Sequence, residues 1–364
     1  MGTMEGAVRA QSLSGEEDLR FIRNFHDVFL SIGLAMLSGG LAIATVMVLW
    51  PHAMALRNDD IAAVTRFGWI VAAAGAANAV AMWLLGEFFA RGRRLFLPSI
   101  VIFLAFQLFV AAAVAGAYGA SKGSGHFLEN VGKVSVGTIE AAVNEWTLIS
   151  SLAAALAGLA FYARMKLPFA MGASGYALAA AGVAAFNMHL PQFALSPFGL
   201  NLAAGVILFL AALGFDARDP ARATRQSDNA FWLHFFAAPL IIGGAIGLAI
   251  GDASPSTDVG LAALAVLAIV FAFALVSLLI NRRALLVAGM IYAILATGVL
   301  LSRAGVSGGW LAASTLLIVG ASMVLLGSGW HALRRVLVAP FPKRGFIARI
   351  IPPEPEKGAA AVAE

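Results

Sequence analysis

The sequence predicts an all-α membrane protein, a polytopic bundle of about ten transmembrane helices with both termini cytoplasmic. Three observations predict it. The 364 residues are 61% hydrophobic and 12% charged, against about 45–50% apolar and about 25% charged in soluble domains. The apolar residues gather into runs of about 20, the length that crosses a hydrocarbon core. Finally, Lys and Arg divide unequally between alternate loops, as the positive-inside rule requires.

Residues 1–28 read as a cytoplasmic N-terminal segment. Ser14-Gly-Glu-Glu17 matches a capping box. Leu19, Ile22, Phe25 and Phe29 then recur at helical spacing, so the segment is either an interfacial amphipathic helix or an extension of the first span. No cleavable signal is expected, because Glu16, Glu17, Asp18, Arg20, Arg23 and Asp27 leave no apolar core before Phe29.

The transmembrane domain, 29–330, divides into spans at Phe29–Trp50, Phe67–Phe88, Leu97–Tyr118, Thr147–Arg164, Leu167–Phe186, Phe198–Phe215, Ala230–Gly251, Gly260–Ile280, Ala284–Ser302 and Trp310–Gly329. With the N-terminus inside, the cytoplasmic segments hold 19 of the 24 Lys and Arg. Losing or adding one span would scramble that asymmetry. All seven tryptophans lie near a span end, where an indole satisfies both its apolar ring and its N–H. Pro98 and Pro168 fall in first helical turns, where a missing N–H is harmless.

The turns Ala90–Arg94, Arg164–Lys166 and Asn281–Arg283 are short and basic. With the longer Asp216–Asp228 turn they suggest a series of two-helix hairpins of one orientation. The stretch Gly119–His126 is flexible by composition, and a helix entering the fourth span is expected from Thr138. Residues 331–364 read as a basic segment suited to anionic lipid at the cytoplasmic face, followed by a disordered tail.

Ionisable and amide side chains inside spans are the candidate site residues, because each is costly there. Glu87, near the cytoplasmic end of the second span, is an interfacial partner for Arg91, Arg93 and Arg94 or a proton or cation site. His234, near the cytoplasmic end of the seventh, is an interhelical hydrogen-bonding group or a proton relay. Asn78, Gln107 and Asn201 are helix-joining amides or solute ligands. Pro239 removes a backbone hydrogen bond and is expected to kink its helix near Phe235–Pro239. Gly243, Gly247 and Gly251 form a small-residue ladder for close helix packing.

No cysteine is present, so disulfides, thiolate metal sites and cysteine nucleophiles are excluded. No carboxylate or second histidine stands at i+3 or i+4 from His234, so no metal site is expected. No nucleotide-binding, zinc-protease or Ser/His/Asp pattern occurs, so neither a catalytic residue nor a cofactor is assigned. The net charge of +5 reflects basic cytoplasmic loops rather than a nucleic-acid surface.

The stretches Phe25-His-Asp-Val-Phe-Leu, Glu87-Phe-Phe-Ala-Arg-Gly-Arg-Arg-Leu-Phe-Leu-Pro-Ser-Ile and Ser227-Asp-Asn-Ala-Phe-Trp-Leu-His-Phe-Phe-Ala-Ala-Pro-Leu-Ile resemble an uncharacterised family of multi-pass inner-membrane proteins of proteobacteria. The resemblance implies placement in the bacterial inner membrane and carries no activity.

Two functional expectations follow. The first is transport or sensing of a small solute along a path beside the helix 230–251. The alternative is a non-transporting scaffold or accessory subunit, packing through small-residue faces against a second copy or another membrane protein. An intramembrane enzyme is the least supported. The expected partner common to all is the lipid bilayer.

Overall fold

The computed structural model describes residues 25–56, 61–128, 136–193, 195–250, 258–342 and 344–352. Among them are twelve α-helices and no strand, and ten of the helices are long and apolar enough to cross a membrane. The chain is a multi-pass integral membrane protein. The capping box at Ser14 and the tail beyond Pro352 lie outside the described residues.

The helices form two compact units. The first holds α1 (Phe25–Met54), α2 (Ile61–Gly86), a π-helical turn (Glu87–Gly92), α3 (Phe96–Leu128), α4 (Val136–Met165) and α5 (Pro168–His189). The second holds α6 (Pro197–Arg218), α7 (Arg225–Ile250), α8 (Val259–Ile280), α9 (Ala284–Arg303), α10 (Gly308–Ser328) and two short helices, α11 (Trp330–Val338) and α12 (Phe346–Ile350). Several helices overrun the expected spans. Hydropathy marks the hydrocarbon core, whereas a helix continues wherever its backbone bonds remain favourable. α7 thus starts at Arg225, and α3 runs through the Gly/Ser-rich stretch to Leu128. There it bears a glycine cost of only about 1 kcal/mol per residue.

Burial is inverted relative to a soluble protein. Phe29, Ile32, Met36, Phe271, Leu317 and Val324 are exposed, while Asp216, His234, Arg282 and Arg334 are buried. Acyl chains solvate the former, and only the protein interior can hydrogen-bond the latter. α1 is the extreme case, burying only Asp27, Ser31 and Leu34.

Within each unit the closest pairings are hairpins: α2–α3 and α4–α5 in the first, α6–α7 and α8–α9 in the second. Small residues set the approach of α2 and α3. A Cβ on Gly75 would lie 2.5 Å from the Ala113 backbone N, and one on Gly116 2.4 Å from that of Ala72. Below this contact an aromatic cluster fills the unit, with Phe161 meeting Trp83, Phe103 and Phe106 at ring separations of 5.8, 5.2 and 5.5 Å.

The hairpin turns share a backbone device. Arg94, Lys166, Arg222 and Asn281 stand at φ of 54°, 58°, 53° and 55°, the left-handed region that ends a helix and reverses the chain. Asn281 follows α8 in a Schellman arrangement, with Arg282 N–H bonding Ser277 O at 3.0 Å. Arg94→Gly is therefore expected to hold or raise the thermal midpoint. Arg94→Val is expected to lower stability by about 1–2 kcal/mol, because a β-branched residue tolerates that region worst. Identical midpoints for the two variants in circular-dichroism melts would refute the assignment.

Tryptophan position along a helix does not equal lipid exposure. Trp50, Trp69 and Trp310 are exposed, as interface anchors are, but Trp232 and Trp330 are buried. Trp330 donates its indole N–H to Asn281 Oδ1 at 2.9 Å, and Arg283 stacks on its ring. An indole at membrane-surface depth can satisfy its N–H from the protein as well as from water.

Candidate functional site

Among the described residues, a buried polar cluster lies in the second unit, where the α6–α7 and α8–α9 turns meet. Asp216 occupies the last turn of α6, and its carboxylate receives two partners. His234, from the third turn of α7, places Nε2 2.9 Å from Asp216 Oδ2. Arg282, from the α8–α9 turn, donates Nη2 to Oδ1 and Nε to Oδ2, the latter at 3.3 Å. Arg282 also donates to Ser227 Oγ at 3.1 Å. The histidine side chain is fully buried, and Arg282 and Asp216 are 2% and 7% exposed.

The chemistry fixes the proton positions. Paired with a guanidinium, Asp216 is an acceptor only, so His234 Nε2 carries the proton it donates. In the neutral ring Nδ1 then holds the lone pair. That atom is buried and has no hydrogen-bond partner among the described residues. The ring edge packs against Phe209, 4.9 Å between centroids.

Neighbouring groups lock the same turn. Arg222 donates to the carbonyls of Asn281 and Ile280 at 2.7 and 2.8 Å. Arg334 of α11, itself buried, donates Nε to Leu278 O at 3.0 Å and reaches Pro352 O. These cations meet the unsatisfied carbonyls and negative dipole end of α8, where positive charge is favourable. Asp219 holds the α6–α7 turn by accepting from Thr224 N at 2.8 Å and Thr224 Oγ1 at 2.7 Å. Ile350 of α12 packs over the apolar cluster of Ala238, Ile242, Phe273, Ile280 and Leu285 just beyond.

No family model, curated protein or solved structure matches this chain.

The other sequence-predicted residues sit apart from this cluster. In the first unit, Asn78 Nδ2 donates to Thr45 Oγ1 of α1 at 2.8 Å, and Gln107 Nε2 to Ala154 O of α4 at 3.0 Å. Glu87, in the π-helical turn, pairs with Arg91 at 3.2 Å and with Arg164 of α4 at 2.5 Å. Arg93 instead lies over the Phe88 ring. In the second unit, Asn201 is half-buried on α6 and Pro239 is exposed on α7. α7 runs from Arg225 to Ile250 with Pro239 inside it.

Of the glycine ladder, Gly247 faces the Phe198 ring of α6 and Gly243 the Tyr292 hydroxyl of α9. Gly251 lies outside the described residues. Gly244 makes the closest backbone approach of the three described, its would-be Cβ 2.6 Å from Leu202 N. No three His, Asp or Glu side chains converge on a metal-sized space among the described residues.

Sequence reasoning selected His234 but not Asp216, Arg282, Arg222 or Arg334. Asp216 falls one residue past the expected end of the sixth span, Arg222 and Arg282 read as basic cytoplasmic turn residues, and Arg334 as part of the basic segment facing anionic lipid. Nothing in the spacing of positions 216, 234 and 282 announces that they meet. The available signal was local: Asp216-Ala-Arg-Asp-Pro-Ala-Arg-Ala-Thr-Arg-Gln-Ser-Asp-Asn229 is a turn unusually rich in acids, amides and hydroxyls.

Proposed function

We propose that this chain is a non-transporting scaffold or accessory subunit of a membrane assembly, placed in the bacterial inner membrane with its basic turns cytoplasmic. The observation that carries this reading is the Asp216 carboxylate, whose two oxygens are engaged by Arg282 and His234. A carboxylate so engaged joins α6, α7 and the α8–α9 turn and has little acceptor capacity left for a passing solute. Asn78, Gln107 and Glu87 likewise bond neighbouring helices. Bonds of this kind join transmembrane helices at about 0.6 kcal/mol each, rising toward about 2. The apolar faces of α1 and α10 supply area for lipid, a second copy or another membrane protein.

A second reading, a proton or small-solute path beside α7, draws on one observation: the buried Nδ1 of His234 lacks a partner among the described residues. Flux in proteoliposomes separates the two. Under the scaffold reading, proton and small-solute flux matches that of empty vesicles for both wild type and His234→Ala. The variant is then less heat-stable by about 1–3 kcal/mol, the cost of leaving buried partners unsatisfied. Flux above empty vesicles that His234→Ala abolishes, with helical content intact, would overturn the scaffold in favour of the path.

A further inference from the structure

A groove of about 650 Å³ runs along α9 and α10, at the end of the second unit opposite the Asn281–Arg283 turn. Its lining is mainly apolar, chiefly Leu295, Val299, Leu311 and Leu316, and Gly298 also lines it. Arg303, the last residue of α9, stands at its mouth beside Val259, the first residue of α8. From Leu295 to Arg303 the groove follows eight residues of helix. That is about 12 Å, most of the ~15 Å depth of one leaflet's hydrocarbon.

We infer that this groove binds one anionic glycerophospholipid, an acyl chain lying along α9 and α10 and the headgroup phosphate on Arg303. Three features point to that occupant. Leu295 and Leu316 are more than half exposed, so the groove opens sideways to the acyl-chain region rather than to water. Arg303 is exposed and forms no ion pair with a described residue, leaving its guanidinium available for a phosphate, which it can grip through two parallel hydrogen bonds. The hydroxyl of Thr315 already donates to Leu311 O at 2.7 Å, and the other lining hydroxyl, Ser302, stands next to Arg303 at the headgroup end, so the stretch along the acyl chain offers little polar competition. An apolar trough closed at one end by a cation matches an amphiphile with one negative head. A zwitterionic lipid would bring a second cation to Arg303. This inference does not depend on whether the protein is a scaffold or a path.

Native mass spectrometry of the detergent-purified full chain, titrated with phosphatidylglycerol or phosphatidylcholine, tests it. Wild type is expected to bind one phosphatidylglycerol in preference to phosphatidylcholine. Arg303→Gln, an exposed change, is expected to weaken phosphatidylglycerol about fivefold, the weight of one basic side chain at an anionic surface, and to leave phosphatidylcholine unchanged. Gly298→Phe fills the groove and is expected to remove the bound lipid. Gly298→Ala should keep it, because a Cβ there meets Thr315 only at 3.6 Å. Equal affinity of wild type for the two lipids, or an Arg303→Gln variant that binds phosphatidylglycerol as wild type does, would overturn the inference. So would a wild-type dimer that Gly298→Phe splits, since the groove would then seat a second copy.

Discussion

Arg282→Met is expected to destabilise the second unit by about 3–5 kcal/mol, the usual cost of leaving one buried charge without its partner. Asp216 would keep only His234, and neutral imidazole cannot neutralise a carboxylate. Asp216→Leu is expected to be as costly, because it strands the Arg282 guanidinium among buried groups. The triple variant Asp216→Leu, His234→Leu, Arg282→Met should recover most of the loss, to within about 2 kcal/mol of wild type, since apolar side chains of similar volume commonly replace a buried ion pair without penalty. Chemical unfolding in detergent micelles, followed by circular dichroism, measures all three. If Arg282→Met unfolds at the wild-type denaturant concentration, the cluster contributes nothing to stability. A triple variant as weak as the single ones would assign the cluster a role in specifying the helix arrangement beyond charge pairing.

The second large effect is expected at the α2–α3 contact. A methyl on Gly116 would sit 2.4 Å from Ala72 N and 2.6 Å from Gly68 O, and both neighbours are backbone atoms of a helix that cannot yield locally. Gly116→Ala is therefore expected to push the two helices apart and cost about 1–3 kcal/mol, with Gly116→Leu well beyond that. Gly320→Ala is the control. Nothing lies within 4 Å of its would-be Cβ, so it should be neutral or stabilising by up to about 1 kcal/mol through helix propensity. Thermal midpoints of the two alanine variants compare them directly. Equal midpoints would mean that α2 and α3 do not pack through these glycines.

The contrast between these two sites separates what is local from what is not. The α2–α3 contact was legible as a pattern, because Gly68, Ala72 and Gly116, Ala120 each recur at four-residue spacing on one helix face. The same logic selected Gly243, Gly247 and Gly251 on α7; Gly247 does meet the Phe198 ring, yet the closest approach to another backbone falls on Gly244. Spacing identifies a small-residue stripe but not which neighbour the stripe meets, and Gly243 turns toward α9 while Gly244 and Gly247 meet α6. Pro239 illustrates a second limit. Its chemistry marks an irregular point in any helix, but Pro239 is exposed on α7, whereas the polar cluster is buried.

The ten membrane-crossing helices were determined by the sequence alone, because a bilayer demands long apolar runs with internally satisfied backbones, and such runs are countable along the chain. The basic hairpin turns were determined in the same way. His234 was recognisable as costly wherever it lay. Its meaning was decided only by tertiary structure, which brings Asp216 and Arg282 to it from 18 residues before and 48 after. Pairing between helices depends on rotation and depth after packing, and neither is written in the order of residues along one helix. The same packing buried Arg334 and Trp330 on the α8–α9 turn, turning residues that composition assigns to the membrane surface into ties that hold the end of a helix.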